Sequence, residues 1–323
     1  MSEPPESGAP GAEASGAPAS VVSGSLTAAD EAARAPAQAG FGDRLTFSFG
    51  ANDGRACGVA EFELDVGNQG QPRARGHALL FWERRLAASA SRPLGAPAGG
   101  WEALSVSIAG LETAVLEPLA RWSLGFRDER GDGFDLEFAA LGAPAVIDPA
   151  SAFATASGLE GYEQLCRVSG TVTVDRSAEA IEGLGQRGHH WGPHDARGAE
   201  LVRDVAAWLD PGTAVTLTSI RPRGAGTHEG EVTSAFLIEA EPAASIALAE
   251  ARLSTTYDRD GHPLRAGLEL WPSAEAEFPR RLAGEAICRG ALELESEQLE
   301  YVFLSWHMEG RSGLGRYELR RMT

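Results

Sequence analysis

The stretch RWSLGFRDERGDGFDLEFAAL, residues 121–141, limits the possible folds more than any other part of the chain. On both sides of its Gly/Asp turn, apolar residues recur at every second position, which is the period of a strand and not of a helix. The same pattern surrounds the NDG turn at 52–54 in DRLTFSFGANDGRACGVAEFELDVG, and Asp260-Gly261 in LSTTYDRDGHPLRAGLELW. Paired alternating runs joined by such turns predict hairpins. YEQLCRVSGTVTVD, AIEGLGQRGHHWG, TAVTLTSIRP and EVTSAFLIEAEP add further strands, and the total passes ten. Helical candidates are few. SLTAADEAARAPAQ is short and ends at a proline, ASGLEGYEQL is broken by glycine, and GAELVRDVAAWL suits a short helix or a strand.

Strands linked by hairpins, without regular intervening helices, imply antiparallel sheets that close on themselves to remove their edges. The expectation is an all-β protein of two antiparallel β-barrel domains. Residues 1–40 are Ala, Pro, Gly, Ser and Glu with hardly an aromatic side chain, a composition that predicts a disordered tail. The Pro/Ala/Gly-rich stretch 141–161 is the natural seam, giving an N-terminal domain over 41–158 and a C-terminal domain over 159–323.

Composition removes several function classes. A net charge of −18 leaves no basic footprint for nucleic acid. No lysine occurs, so Schiff-base chemistry and the P-loop are excluded. Three widely spaced cysteines fit neither a disulfide framework nor a metal knuckle, and suggest small core residues in a reducing compartment. No stretch approaches a membrane span, and the acidic start lacks the features of a secretory signal, so a cytoplasmic location is expected. A nucleophile elbow and a dinucleotide fingerprint are both missing.

Chemistry concentrates in GQRGHHWGPHDA, residues 185–196. Strand alternation sends His189 and Trp191 to one face and His190 to the other. His194 lies beyond a proline turn, so convergent metal ligands are not expected and no metal is assigned. A proton-transfer site is the alternative, with His189 as acid or base and the Trp191 indole stabilising developing positive charge. A third reading makes Trp191 a core residue and His189 a hydrogen-bonded filler of the barrel mouth. Trp306, in the late strand FLSWHM, is a further candidate for lining a pocket.

GYEQLCRVSGTVTVD followed by IEGLGQRGHHWGP resembles the second-half signature of the hydroxyneurosporene synthase (carotenoid hydratase) and AttH-like superfamily, in its bacterial branch. The resemblance extends more loosely over residues 43–321. It implies two lipocalin-like, calycin-type β-barrels, an apolar ligand, no cofactor, and hydration or cyclisation of a hydrophobic unsaturated molecule such as a terpenoid, carotenoid or polyketide. A non-catalytic lipocalin-like carrier of such a molecule is the alternative. The family histidine and tryptophan fall on His189 and Trp191. Where the family pattern has an aspartate, this chain has Gly188, and Glu163 or Asp195 folding back is one way to supply the acid. Tyr162, Gln186, Arg187 and His190 complete the set of possible pocket or helper residues.

Overall fold

Residues 26–32, 34, 40–66, 72–94, 105–108, 110–193, 198–225, 230–240, 244–294 and 297–322 are described by the computed structural model. Alternation yields strands nearly throughout. The first eleven are β1 (Phe41–Ala51), β2 (Ala56–Val66), β3 (Pro72–Trp82), β4 (Arg85–Leu94), β5 (Ser105–Ile108), β6 (Leu111–Glu117), β7 (Arg121–Arg127), β8 (Gly133–Ala140), β9 (Ala145–Val146), β10 (Glu160–Val174) and β11 (Ser177–Pro193). They form one antiparallel sheet in the order β4-β3-β2-β1-β11-β10-β8-β7-β6-β5, with β9 beside β10. The other nine are β12 (Ala199–Asp210), β13 (Thr213–Pro222), β14 (Val232–Glu239), β15 (Ala244–Ala247), β16 (Glu250–Tyr257), β17 (Pro263–Trp271), β18 (Arg280–Glu293), β19 (Glu297–Met308) and β20 (Arg311–Met322). Their order is β15-β14-β13-β12-β20-β19-β18-β17-β16. Both sheets curl into half-barrels, the lipocalin-like arrangement expected. The three predicted hairpins join β1 to β2, β7 to β8 and β16 to β17.

The two-residue period sorts side chains into three cores. Phe47, Phe49, Phe62, Trp122, Phe126, Phe134 and Phe138 fill the first half-barrel. Val205, Leu217, Val302, Leu304, Trp306 and Leu319 fill the second. Between the sheets, Val59, Leu79 and Phe81 of the first meet Ala206, Trp208 and Phe303 of the second. Cys57 and Cys288 also meet there, their sulfurs 3.4 Å apart as free thiols.

Long-range contacts settle one open alternative and overturn two local expectations. GAELVRDVAAWL becomes β12, because β13 and β20 flank it and satisfy its backbone. The stretch 141–161 holds β9 and a short helix, α1 (Ala152–Ser157), but the chain does not change sheets there. β10 pairs with β8, and β11 pairs with β1, so the motif strand is built into the first sheet and the changeover falls between Pro193 and Ala199. The pairing of β1 with β11 joins residues more than 130 apart in sequence, which no local pattern announces. The second departure is in the stretch assigned to a tail. Residues 1–25 lie outside the described set, but a 3₁₀ turn at Ala28–Glu31 docks on the first half-barrel, with Glu31 buried. The Asp30 carboxylate accepts hydrogen bonds from the Thr27 backbone N–H at 2.7 Å and the Thr27 hydroxyl at 2.9 Å, which closes the turn and lowers the Asp30 pKa. Composition averaged over 40 residues hides these few capped ones.

Among the described residues, no helix is long and apolar enough to cross a membrane.

Candidate functional site

Strands β1, β11 and β10 lie side by side, and their register builds the site in rungs. Asp43, Trp191 and Glu160 form one rung, Leu45, His189 and Tyr162 the next, and Phe47, Arg187 and Gln164 the third. These side chains share the concave face of the first half-barrel, because residues two apart on a strand, and those opposite them, face the same way. The aromatic core begins directly below.

His189 is fully buried, and its Nε2 lies 2.7 Å from Asp43 Oδ1. Its Nδ1 lies 3.1 Å from the Asp30 carbonyl oxygen. Both partners are acceptors, so each ring nitrogen faces an oxygen that can take its N–H. Trp191 packs edge-on to the imidazole with centroids 5.1 Å apart, and Tyr162 does so at 5.7 Å. The Trp191 indole N–H donates to Glu160 at 3.3 Å, and the Arg34 guanidinium stacks 4.3 Å from its ring centroid. The Arg34 backbone N–H donates to the second oxygen of Asp43.

Beside this pair, Arg187 donates to the Tyr162 hydroxyl at 2.6 Å and to Glu31 at 2.7 Å. Glu31 accepts two more hydrogen bonds, from the Trp122 indole at 3.2 Å and from the Leu119 backbone N–H at 2.8 Å. Burial pushes the Tyr162 phenol up to about 12, so the phenol keeps its proton at neutral pH.

The alternate residues of the same strands face the second sheet. His190 Nε2 lies 3.3 Å from Glu163 Oε1, and Gln186 donates to the other Glu163 oxygen at 2.6 Å. Trp208 of the second sheet donates to Gln186 at 3.4 Å. Burial and the nearby Asp204 push Glu163 up to about 8, while burial and Arg44 hold His190 well below the ordinary histidine range. The pair is therefore a neutral acid beside a neutral imidazole at pH 7. Farther along the seam, Arg316 pairs with Asp204 and Glu318, and Arg320 with Glu61, Glu297 and Glu318. A cleft of about 40 Å³ opens at this edge, lined by Arg44, Glu63, His190, Trp191 and Arg320 among others. It has room for a few waters and is far below the size of an organic substrate.

Of the residues singled out in the sequence, His189, Trp191, Tyr162 and Arg187 thus converge at the half-barrel mouth. Glu163, Gln186 and His190 gather on the opposite face. Glu163 does not fold back onto His189, because strand alternation in β10 separates it from Tyr162. Trp306 is sealed in the second half-barrel, away from both clusters. Asp195 lies outside the described residues. Sequence reasoning missed Asp43, Glu31, Asp30, Arg34, Trp122 and Glu160. A signal for Asp43 existed, as an acid at the start of an otherwise apolar-alternating strand. Nothing local marks the others. Among the described residues, no group of three or more His, Cys, Asp or Glu side chains is placed to hold a metal ion.

Comparison with known proteins places these features in a family. A model of a domain of unknown function, DUF7064, matches residues 27–323. Functionally curated proteins give no match. Among solved structures, a Nitrosomonas europaea protein described as an AttH superposes with a TM-score of 0.60 at 13% identity, covering 90% of this chain and 95% of that one. CghA with Sch210972 gives 0.59 at 13% identity over 88% and 89%. Kievitone hydratase from Nectria haematococca gives 0.58 at 12% identity over 87% and 88%. The chain belongs to the DUF7064 family and has the AttH-like, lipocalin-like fold.

Proposed function

We propose that the chain is a cofactor-independent hydratase, lyase or cyclase for a hydrophobic unsaturated small molecule of terpenoid, carotenoid or polyketide type, with His189 as proton donor and acceptor. The observation that carries this reading is the His189 ring held between two acceptors, Asp43 and the Asp30 carbonyl, against an aromatic wall. An imidazolium so placed transfers a proton to one alkene carbon. Trp191 faces the resulting cation with its π-system, and water forms a C–O bond to the second carbon. The surplus water proton returns to the imidazole, so the net change is addition of H₂O with the histidine restored. In reverse the sequence eliminates water, and capture of the cation by a second alkene, with loss of a proton to the imidazole, closes a ring. Asp43 keeps the ring oriented and balances its charge. The acid that the family pattern places before the histidine is here supplied from the neighbouring strand.

The carrier alternative needs room inside the half-barrel. Phe47, Phe49, Phe62, Trp122 and Phe134 pack that interior with side chains, which favours chemistry at the mouth over storage inside. The shared fold with a protein named a hydratase supports the same class. Residues 27–32 and Arg34 lie over the mouth, so substrate entry lifts them away.

The test is a mass-spectrometric screen of unsaturated terpenoids, carotenoids and polyketides in ¹⁸O-labelled water. Wild type is expected to add or exchange one labelled oxygen, and His189→Gln to lower turnover by about 10²–10⁴-fold while melting as wild type does. A folded His189→Gln variant with undiminished turnover refutes the assignment.

A further inference from the structure

The Glu31 carboxylate is bound as a ligand would be. One oxygen takes the Arg187 guanidinium at 2.7 Å and the Trp122 indole at 3.2 Å, and the other takes the Leu119 N–H at 2.8 Å. The Arg187 and Glu31 side chains are 1% and 0% exposed. The three donors belong to the half-barrel itself, on β11, β7 and the turn between β6 and β7, whereas the carboxylate arrives on a 3₁₀ turn outside the sheet. Each donor is fixed without Glu31. Arg187 stacks on Trp122 at 4.8 Å and on Tyr162 at 5.1 Å and donates to the Tyr162 hydroxyl. Leu119 holds a left-handed backbone at φ 59°, unusual for a bulky residue, and its carbonyl accepts from Gln164 at 3.0 Å. Arg187 Nε and Gln164 Oε1 are buried without a partner, so the pocket keeps polar capacity that Glu31 does not use.

A buried guanidinium needs a counter-charge at all times, since leaving it unpaired is strongly unfavourable. Anything that lifts the Ala28–Glu31 turn from His189 must therefore replace the Glu31 carboxylate. A substrate with its own carboxylate does this, because the group that pairs Arg187 also displaces the cover.

We propose that Arg187, the Trp122 indole and the Leu119 N–H form a carboxylate subsite for the substrate, kept filled by Glu31 as an internal stand-in until an apolar carboxylate takes its place. This rests on the reading of the His189 mouth as the reaction site, and it narrows the substrate class to hydrophobic unsaturated acids. A guanidinium offers paired donors matched to a planar carboxylate, and the indole and amide complete a set that a neutral ester or alcohol cannot satisfy equally. Tethering makes Glu31 an effective competitor, so an incoming ligand binds with an affinity reduced by the fraction of time the socket is open.

The experiment uses the full chain and reads binding, not turnover, so its failure leaves the His189 assignment standing and a failure of that assignment leaves this one standing. The probes are cis-parinaric acid, a fluorescent polyene carboxylate, with its methyl ester, and sodium acetate with acetamide and sodium chloride as controls. Glu31→Ala is expected to bind cis-parinarate about tenfold or more tighter than wild type, with no gain for the ester. Its melting temperature is expected to fall by about 10 °C and to be restored by acetate but not by acetamide or chloride. Glu31→Ala/Arg187→Met is expected to lose both the acetate response and the preference for acid over ester. Equal binding of acid and ester by Glu31→Ala, or a melting temperature no more sensitive to acetate than to chloride, overturns the proposal. Should Glu31→Ala not fold, wild type decides. Saturating cis-parinarate, and not the ester, is expected to speed tryptic cleavage after Arg34, and equal rates with both overturn the proposal.

Discussion

Glu163→Gln should stabilise the protein at alkaline pH and leave it almost unchanged in mild acid. Glu163 sits in the seam between the sheets, hydrogen-bonded by Gln186, beside His190, and near Asp204, Arg316 and Arg44. Burial and Asp204 raise its pKa from 4.5 to about 8. The folded chain therefore keeps this proton over a pH range in which the unfolded chain has released it. Stability from this group is fully present below pH 4.5 and is lost as pH climbs toward 8, since the unfolded state binds fewer protons throughout that window. At about 1.4 kcal/mol per pH unit, the loss reaches up to about 5 kcal/mol. Glutamine has the shape and hydrogen-bonding pattern of the protonated acid, donating to His190 and accepting from Gln186, but has nothing to ionise. Urea unfolding between pH 5 and pH 9 reads the difference between the two proteins. With a slope of about 3 kcal/mol per molar urea, the midpoints should nearly coincide at pH 5 and separate by about 1.5 M at pH 9, with the variant higher. Because His190 and Asp204 titrate in both proteins, their contributions largely cancel in the comparison. Parallel midpoint curves across the range, or a variant that is weaker at pH 9, would refute the reasoning.

Two further outcomes follow from the packing. Placing an acid before His189 through Gly188→Asp should destabilise the chain by about 3 kcal/mol or more at pH 8, because a Cβ at Gly188 falls 2.5 Å from Thr46 Oγ1 and 2.6 Å from Glu163 Oε1. Thermal melts check this, and a variant that melts with wild type shows that the seam is not packed as described. All three cysteines are buried, and burial and Cys288 push the Cys57 thiol well above its ordinary range, so native protein should be inert to Ellman's reagent and release three thiols only along its unfolding curve. Rapid titration of the native state contradicts that burial.

The hairpins were legible because their determinants are local. Period-two alternation and a Gly/Asp turn lie within about twenty residues, and the β7–β8 and β16–β17 pairs stand where the pattern put them. The partners of β11 were not legible. One neighbour, β10, is adjacent in sequence, but the other is β1, so the chain closes the first sheet by returning to its start and leaves for the second only after Pro193. The candidate site divides in the same way. His189, Trp191 and Arg187 are on one face by alternation within β11, which a sequence shows, while Tyr162 joins them through the register of β10. Asp43 joins them only through the register in which it opposes Trp191, and Glu31 only through a turn inside a stretch whose composition suggested no structure.

That register also explains how adjacent histidines come to have separate partners. On β11, His189 faces the mouth and pairs with Asp43, while His190 faces the seam and pairs with Glu163. Two glycines make the second placement possible. Gly161, opposite His190, has φ 144°, and a Cβ there would come within 2.7 Å of the His190 ring; Gly188 leaves the space that Thr46 and Glu163 occupy. An aspartate at 188 would point into the seam, at Glu163, and not at His189. On this backbone a carboxylate reaches the His189 ring from the neighbouring strand, where Asp43 stands diagonal to it on the same face. The glycine before the histidine is therefore the condition for packing the two sheets, and the carboxylate at the mouth comes from β1.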